Sequence, residues 1–242
     1  MQVESKLCYL LGAAFGILVG CHSRTGAPYA DSPELTPLMN AAASNDVVRV
    51  RRLIEQGADV HERTKEGKTA LYEAIERRDL NKDNLPVVDA LLKAGADPNE
   101  LEFAAASPLV VSLTRDYGNA DVTLLLLRAG ARVPQICDGD DSVLSLATMD
   151  SSLEVMHALL ARKAPVNCQD KTGATALYWA ALNGQADRVA LLLQYGADPH
   201  LTDKQGKTPL DCAKTTNPER RVQDDFAKTR GLLEGATKVM KR

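Results

Sequence analysis

Downstream of residue 35 the apolar positions fall into short stripes of helical period, arranged in pairs, with polar and glycine-containing turns between the pairs. The stretch from Asp170 to His200 shows the unit most clearly. A turn at Gly173 leads into a helix that starts at Thr175-Ala176-Leu177 and carries the small residues Ala180 and Ala181. Asn183-Gly184 breaks that helix, a second one places Val189, Leu192 and Leu193 on one face, and Gly196 stops it. The pattern predicts a helix-turn-helix hairpin with a turn on each side.

The same phrase returns at Thr36-Pro37-Leu38, Thr69-Ala70-Leu71, Ser107-Pro108-Leu109, Ser142-Val143-Leu144, Thr175-Ala176-Leu177 and Thr208-Pro209-Leu210, in steps of 33, 38, 35, 33 and 33 residues. The helix stops at Gly57, Gly95, Gly130, Lys163 and Gly196 follow the same irregular steps, so the two longer repeats contain insertions. A period near 33 with this phrase resembles the ankyrin repeat, over roughly residues 35 to 235. The resemblance implies an all-α solenoid of about six helix-turn-helix repeats joined by short β-hairpin-like turns. The expected organisation is a leader over residues 1–20, a tether over 21–35 and a repeat domain over 36–242, with repeats starting near 36, 69, 107, 142, 175 and 208.

Within each unit, small residues such as Ala41, Ala42 and Ala74 let first helices approach, and branched ones such as Val50, Leu53, Val88 and Leu91 fill the space between repeats. The extra residues lie near Asn81 to Pro86 and near Tyr117-Gly118, between the two helices of their repeats. The fourth repeat is the weakest, because Lys163 stands where the others have a stop glycine; Pro165 helps to end the helix there. The charged stretch after Asn217-Pro218 suits a solubilising terminal cap. The histidine usual in the ankyrin family after Thr-Pro-Leu is absent, with Met39, Tyr72, Val110, Ser145, Tyr178 and Asp211 in its place.

The N-terminus follows a different pattern. Leu7 to Gly20 is an apolar run of fourteen residues, short of the roughly twenty needed to span a bilayer. It reads as the hydrophobic region of a secretory signal. Its end, Leu18-Val19-Gly20-Cys21, resembles the bacterial lipobox, which implies cleavage before Cys21 and lipidation of that residue. His22 follows, with no aspartate to suggest retention at the inner membrane, so the resemblance implies the periplasmic leaflet of the outer membrane. The stretch from His22 to Leu35 is rich in Gly, Pro and Ser; as a flexible tether it averages about 20 Å and reaches about 45 Å fully stretched.

Composition narrows the function. The chain has 242 residues, 45% hydrophobic and 25% charged, and a net charge of −3, which leaves no basic footprint for nucleic acid. Aromatic residues make up only 4%, few for one globular core but enough for thin stacked repeats. His61 and His200 share a turn slot with Asn99 and Asn167, which reads as turn hydrogen bonding. Asp138-Gly139-Asp140-Asp141 lacks the alternating carboxylates and distal Glu of a calcium loop. No phosphate loop, Cys-x-x-Cys pair or nucleophile elbow is present, so neither an enzyme nor a metal or cofactor is expected. In an oxidising compartment Cys137 and Cys168 fall in successive turns two register positions apart, and their pairing stays open. Cys212 reads as buried in a first helix.

What remains is recognition. Resemblance to ankyrin arrays implies a partner-binding face made of turn tips and the adjoining edge of each first helix. By register the candidate contacts are Arg63, Lys65, Glu66, Glu73, Glu102, Phe103, Val111, Asp138, Asp140, Lys171, Tyr178, Trp179 and Lys204. Trp179 reads either as a binding hot spot or as core against the sixth repeat. The mixed charge of the tips favours a protein partner over a polyanion. A lipid-anchored ankyrin array resembles the immunity lipoproteins that accompany phospholipase effectors of type VI secretion. The implied role is to bind and neutralise a secreted effector enzyme, with a scaffold for an envelope enzyme as the alternative.

Overall fold

The computed structural model describes residues 34–76, 83–100, 107–114, 119–135, 137, 142–150, 152–215 and 223–239. Cys21, Glu102, Phe103, Asp138 and Asp140 lie outside the described residues, as do the tether and the apolar N-terminal run. The described part is all-helical and contains no strand. Its helices form six pairs: α1 (Pro37–Ala43) with α2 (Val47–Glu55), α3 (Ala70–Glu76) with α4 (Leu85–Lys93), α5 (Pro108–Val111) with α6 (Ala120–Arg128), α7 (Val143–Asp150) with α8 (Leu153–Ala161), α9 (Ala176–Leu182) with α10 (Ala186–Gln194), and α11 (Pro209–Thr215) with α12 (Gln223–Val239).

The recurrent phrase is a helix start in the literal sense. The hydroxyl of Thr36, Thr69, Ser107, Ser142, Thr175 and Thr208 accepts the backbone N–H three residues on, at 3.0 to 3.3 Å in every repeat. Each such bond satisfies one of the donors a helix N-terminus leaves orphaned. Pro37, Pro108 and Pro209 follow in the first helical position, where a missing N–H costs nothing.

First helices pack side by side through Ala41, Ala42, Ala74, Ala147, Ala180, Ala181 and Ala213, all buried. Behind them the second helices stack α2 on α4, α4 on α6, α6 on α8, α8 on α10 and α10 on α12. Val50, Val88, Leu91, Leu126, Val155, Leu159, Val189 and Leu192 fill that layer with essentially no exposure. The result is one continuous core of quasi-identical layers, as repeat stacking requires.

The inserted stretches lie largely outside the described residues, at 77–82 and 115–118, and the helices on either side of each keep their stacking contacts. A polar bridge accompanies them: Asn84, at the start of α4, donates to the Ala74 carbonyl at 3.0 Å, and Asn119, at the start of α6, donates to the Asn84 side chain at 3.1 Å. Lys163 keeps the terminating bonds of its helix. It adopts a φ of 62°, its N–H reaches the Leu160 carbonyl at 2.9 Å, and Ala164 closes on Leu159 at 3.1 Å. Gly130 and Ala131 terminate α6 in the same way, so lysine takes the left-handed conformation that glycine provides elsewhere.

The C-terminal pair departs from the repeat. α12 runs for 17 residues, buries Leu233 against the last layer and exposes Asp225, Lys228, Arg230 and Glu234. Phe226 seats on Gly184, where a Cβ would come within 2.7 Å of the ring. The charged terminal helix therefore covers the stack with a wet outer face, as a cap should.

Candidate functional site

The described turns between successive pairs form short fingers that lead into the first helices. In three of them the loop is closed by a backbone bond, Thr64 N to Lys68 O, Asp170 N to Ala174 O and Asp203 N to Lys207 O, at 2.9 to 3.0 Å. Gly67, Gly173 and Gly206 take the positive φ these tight turns demand. The fingers are thus hairpin-like turns without strands.

Each of these fingers has an internal bracket five residues before its helix cap. Thr64 Oγ1 accepts from Glu66 N and Lys68 N, both at 3.2 Å. Asp170 Oδ1 accepts from Thr172 N at 2.7 Å, Thr172 Oγ1 at 2.6 Å and Ala174 N at 3.1 Å. Asp203 Oδ1 accepts from Gln205 N at 2.9 Å and Lys207 N at 2.8 Å. The two aspartates are only 7% exposed, so the bracket is a buried carboxylate satisfied by backbone donors.

The second oxygen of each carboxylate receives an aromatic from α9. Trp179 Nε1 donates to Asp170 Oδ2 at 2.8 Å, and the Tyr178 hydroxyl donates to Asp203 Oδ2 at 2.7 Å. The two rings meet edge to face, 5.8 Å between centroids. Both side chains are half-buried, while Lys171 and Lys204 on the adjoining fingers are exposed. Burial disfavours the Asp203 anion, but the Tyr178 hydroxyl, the Lys207 and Gln205 N–H groups and the Lys207 charge outweigh it and hold the carboxyl below the usual range. Burial, then the Cys212 thiol and Asp203, push the Tyr178 hydroxyl well above its ordinary value.

Fingers are also tied to their neighbours. Arg63 makes two bonds to Glu100 Oε1, at 2.8 and 3.1 Å, and His61 lies 3.6 Å from the other Glu100 oxygen. Gln169 donates to the Thr202 carbonyl at 2.9 Å, and Lys204 N donates to Thr172 O at 2.9 Å. Asn99 spans Gly130 O and Arg132 N, while Asn167 spans Gly196 O and Asp198 N. Asn99 and Asn167 thus do the hydrogen bonding expected of their turn slot, and the His61 and His200 N–H groups each donate to the aspartate two residues earlier, at 2.8 Å.

Cys137 and Cys168 are bridged, with 5.4 Å between their Cα atoms. Their offset in register suggests a separation too large to span, yet successive fingers are staggered. A residue meets one lying earlier in the next repeat, as Arg63 meets Glu100, and the stagger brings the sulfurs together.

The predicted contact residues do not all share the face. Arg63, Lys65, Glu66, Lys171 and Lys204 stand on fingers, and Tyr178 and Trp179 line the α9 edge. Glu73 is 1% exposed and Val111 5%, so neither is offered to a partner; α3 packs between α1 and α5. Asp170 and Asp203, the groups that position the aromatics, are legible only in their register five residues ahead of Thr175 and Thr208.

The profile of the family described as "Ankyrin repeats (3 copies)" matches residues 8–102, 109–203 and 144–222. The chain belongs to the ankyrin-repeat family. It is 33% identical over 191 residues to the ankyrin repeat protein YahD of Escherichia coli, covering 76% of this chain and 90% of that one. It is 34% identical over 158 residues to dog inversin, a match that covers 62% of this chain and 14% of inversin. Among solved structures, an ankyrin repeat domain from Acinetobacter baumannii is similar at a TM-score of 0.66 with 29% identity, covering 83% of this chain and 97% of that one. A chain from the Bdellovibrio bacteriovorus complex of the predatory endopeptidase Bd0816 with the immunity protein Bd3460 is similar at a TM-score of 0.64 with 27% identity, covering 84% and 98%. Ankyrin repeats are protein-binding modules, and this array carries its half-buried aromatic pair on α9, held by the two adjoining fingers.

Proposed function

We propose that this chain is a lipid-anchored periplasmic binding module whose finger face holds and neutralises a secreted effector enzyme. The observation that carries the reading is the pair of bracketed fingers on either side of α9, whose aspartates hold the half-buried Trp179 and Tyr178 in place. A face ordered before binding loses little entropy on association, which suits a tight inhibitor of a large protein surface. Trp and Tyr are the residue types that most often anchor such contacts.

Three further features favour this setting. Leu18-Val19-Gly20-Cys21 matches a lipidation signal, with Cys21 the acylated residue and the outer membrane's inner leaflet the destination. The Cys137–Cys168 bridge suits an oxidising periplasm. A similar structure comes from an endopeptidase held with its immunity protein. The partner class that a lipoprotein ankyrin array implies is a phospholipase-type effector of type VI secretion.

The test is a pull-down from the bacterial envelope with the lipidated chain, followed by an activity assay on what is captured. Recovery of a secreted hydrolase whose activity falls on binding supports neutralisation. Recovery of resident envelope enzymes with undiminished activity overturns it in favour of a scaffold.

A further inference from the structure

The bracket position five residues before the helix cap is filled by Thr64, Asp170 and Asp203 in three fingers, each accepting two backbone N–H bonds from its own loop. In the finger before α7 the same position is Cys137. A thioether-like sulfur in a disulfide is a poor acceptor for such bonds, and this sulfur is committed to the next finger.

That commitment reaches the aromatic face along a short path. Cys168 is 4% exposed and two residues before Asp170. Asp170 closes its own finger through Thr172 and Ala174 and fixes the indole of Trp179 at 2.8 Å. Between them, Gln169 ties the segment to Gly173 and Thr202. The bridge therefore anchors the root of the segment that sets where Trp179 stands. The two sulfurs also differ in access: Cys137 is exposed and Cys168 buried.

We propose that the Cys137–Cys168 bridge is a redox-sensitive latch on the Trp179 face, whose opening loosens the Asp170 finger while the helical stack stays folded. The co-reactant is a dithiol. Its thiolate attacks the sulfur of Cys137, the more exposed residue of the pair, and the Sγ–Sγ bond breaks, so the Cys168 sulfur leaves as a thiolate and takes up a proton. The second thiol of the reductant then displaces Cys137, which leaves protonated, and the reductant ends as a disulfide; two electrons have passed to the protein. The stack survives because its layers are held by Leu144, Leu159, Leu177 and their neighbours, none of which depends on the bridge. The latch concerns the chain itself and does not rest on the proposed partner.

Trp179 is the one tryptophan of the chain and so reports its own surroundings. The whole chain is titrated with dithiothreitol while thiols are counted and tryptophan emission, acrylamide quenching and far-ultraviolet circular dichroism are followed. The latch predicts that the appearance of two additional thiols coincides with a shift of emission to longer wavelength and stronger quenching, with the helical signal retained and the change reversed on reoxidation. Cys168→Ser is expected to show the shifted emission without reductant and no further response, and Cys212→Ser to respond like the parent. Unchanged emission after full reduction overturns the latch. Loss of the helical signal along with the bridge overturns it as well, because the bond is then a staple of the whole stack.

Discussion

Lys163 holds a φ of 62° at a position where Gly57, Gly95, Gly130 and Gly196 hold 86° to 97°. A side chain in that region costs on the order of 1 kcal/mol, part of which glycine returns as unfolded-state entropy. Lys163→Gly is therefore expected to stabilise the chain by up to about 0.5 kcal/mol, read as a higher urea midpoint; a lower midpoint contradicts the strain. Asp203 supplies a second test. Its folded carboxyl lies below the usual range, so its contribution is complete above the unfolded value of about 3.9 and is lost as pH falls through the lower folded value. Stability is expected to drop below about pH 4, and Asp203→Asn is expected to flatten that acid limb; an equally steep limb in the variant would assign it to other carboxylates. The roles of Asp170 and Asp203 were hard to read from sequence because an aspartate in a turn usually faces water. Only the aromatic pair arriving from α9 makes these two buried brackets. Trp179 is half-buried, with its indole N–H on Asp170 of its own repeat, a contact that neither the hot-spot reading nor the core reading contains.

At the scale of elements, the repeats were legible because one physical signal marks each of them. The Thr or Ser cap fixes where every first helix starts, and the left-handed stop fixes where the second ends. Burial of Glu73 and Val111 was not legible, since register places a residue on an edge without saying how closely its neighbours cover it. The four-residue length of α5 was likewise hidden; there the Ser112 and Thr114 hydroxyls turn back onto the Leu109 and Val111 carbonyls at 2.8 Å and compete with a further turn. The bridge escaped register arithmetic because the stagger between fingers has no sequence signature. Its sequence separation of 31 residues corresponds to a stabilisation of about 3–4 kcal/mol in the chain-entropy account. Removing it by Cys137→Ser with Cys168→Ser is expected to lower Tm by roughly 6–16 °C, taking about 2–4 °C per kcal/mol for a domain of this size. An unchanged Tm in oxidising buffer would mean that the finger link adds nothing to the stack.

For the molecule as a whole, stacking makes each layer depend on the next, and the exposed polar face of α12 closes the series in water. The fingers inherit this rigidity, so a partner meets a row of side chains already in place. The direct test is to titrate the hydrolase captured from the envelope with the wild-type chain, with Trp179→Ala, and with Arg51→Ala, whose exposed side chain lies on α2 in the second-helix layer away from the fingers. With helical signals matched, the account predicts that Trp179→Ala weakens inhibition by about tenfold or more, the loss of a hot spot, and that Arg51→Ala inhibits like the wild type. Equal inhibition by all three, or weakening only in Arg51→Ala, would contradict the finger face as the place where the partner is held.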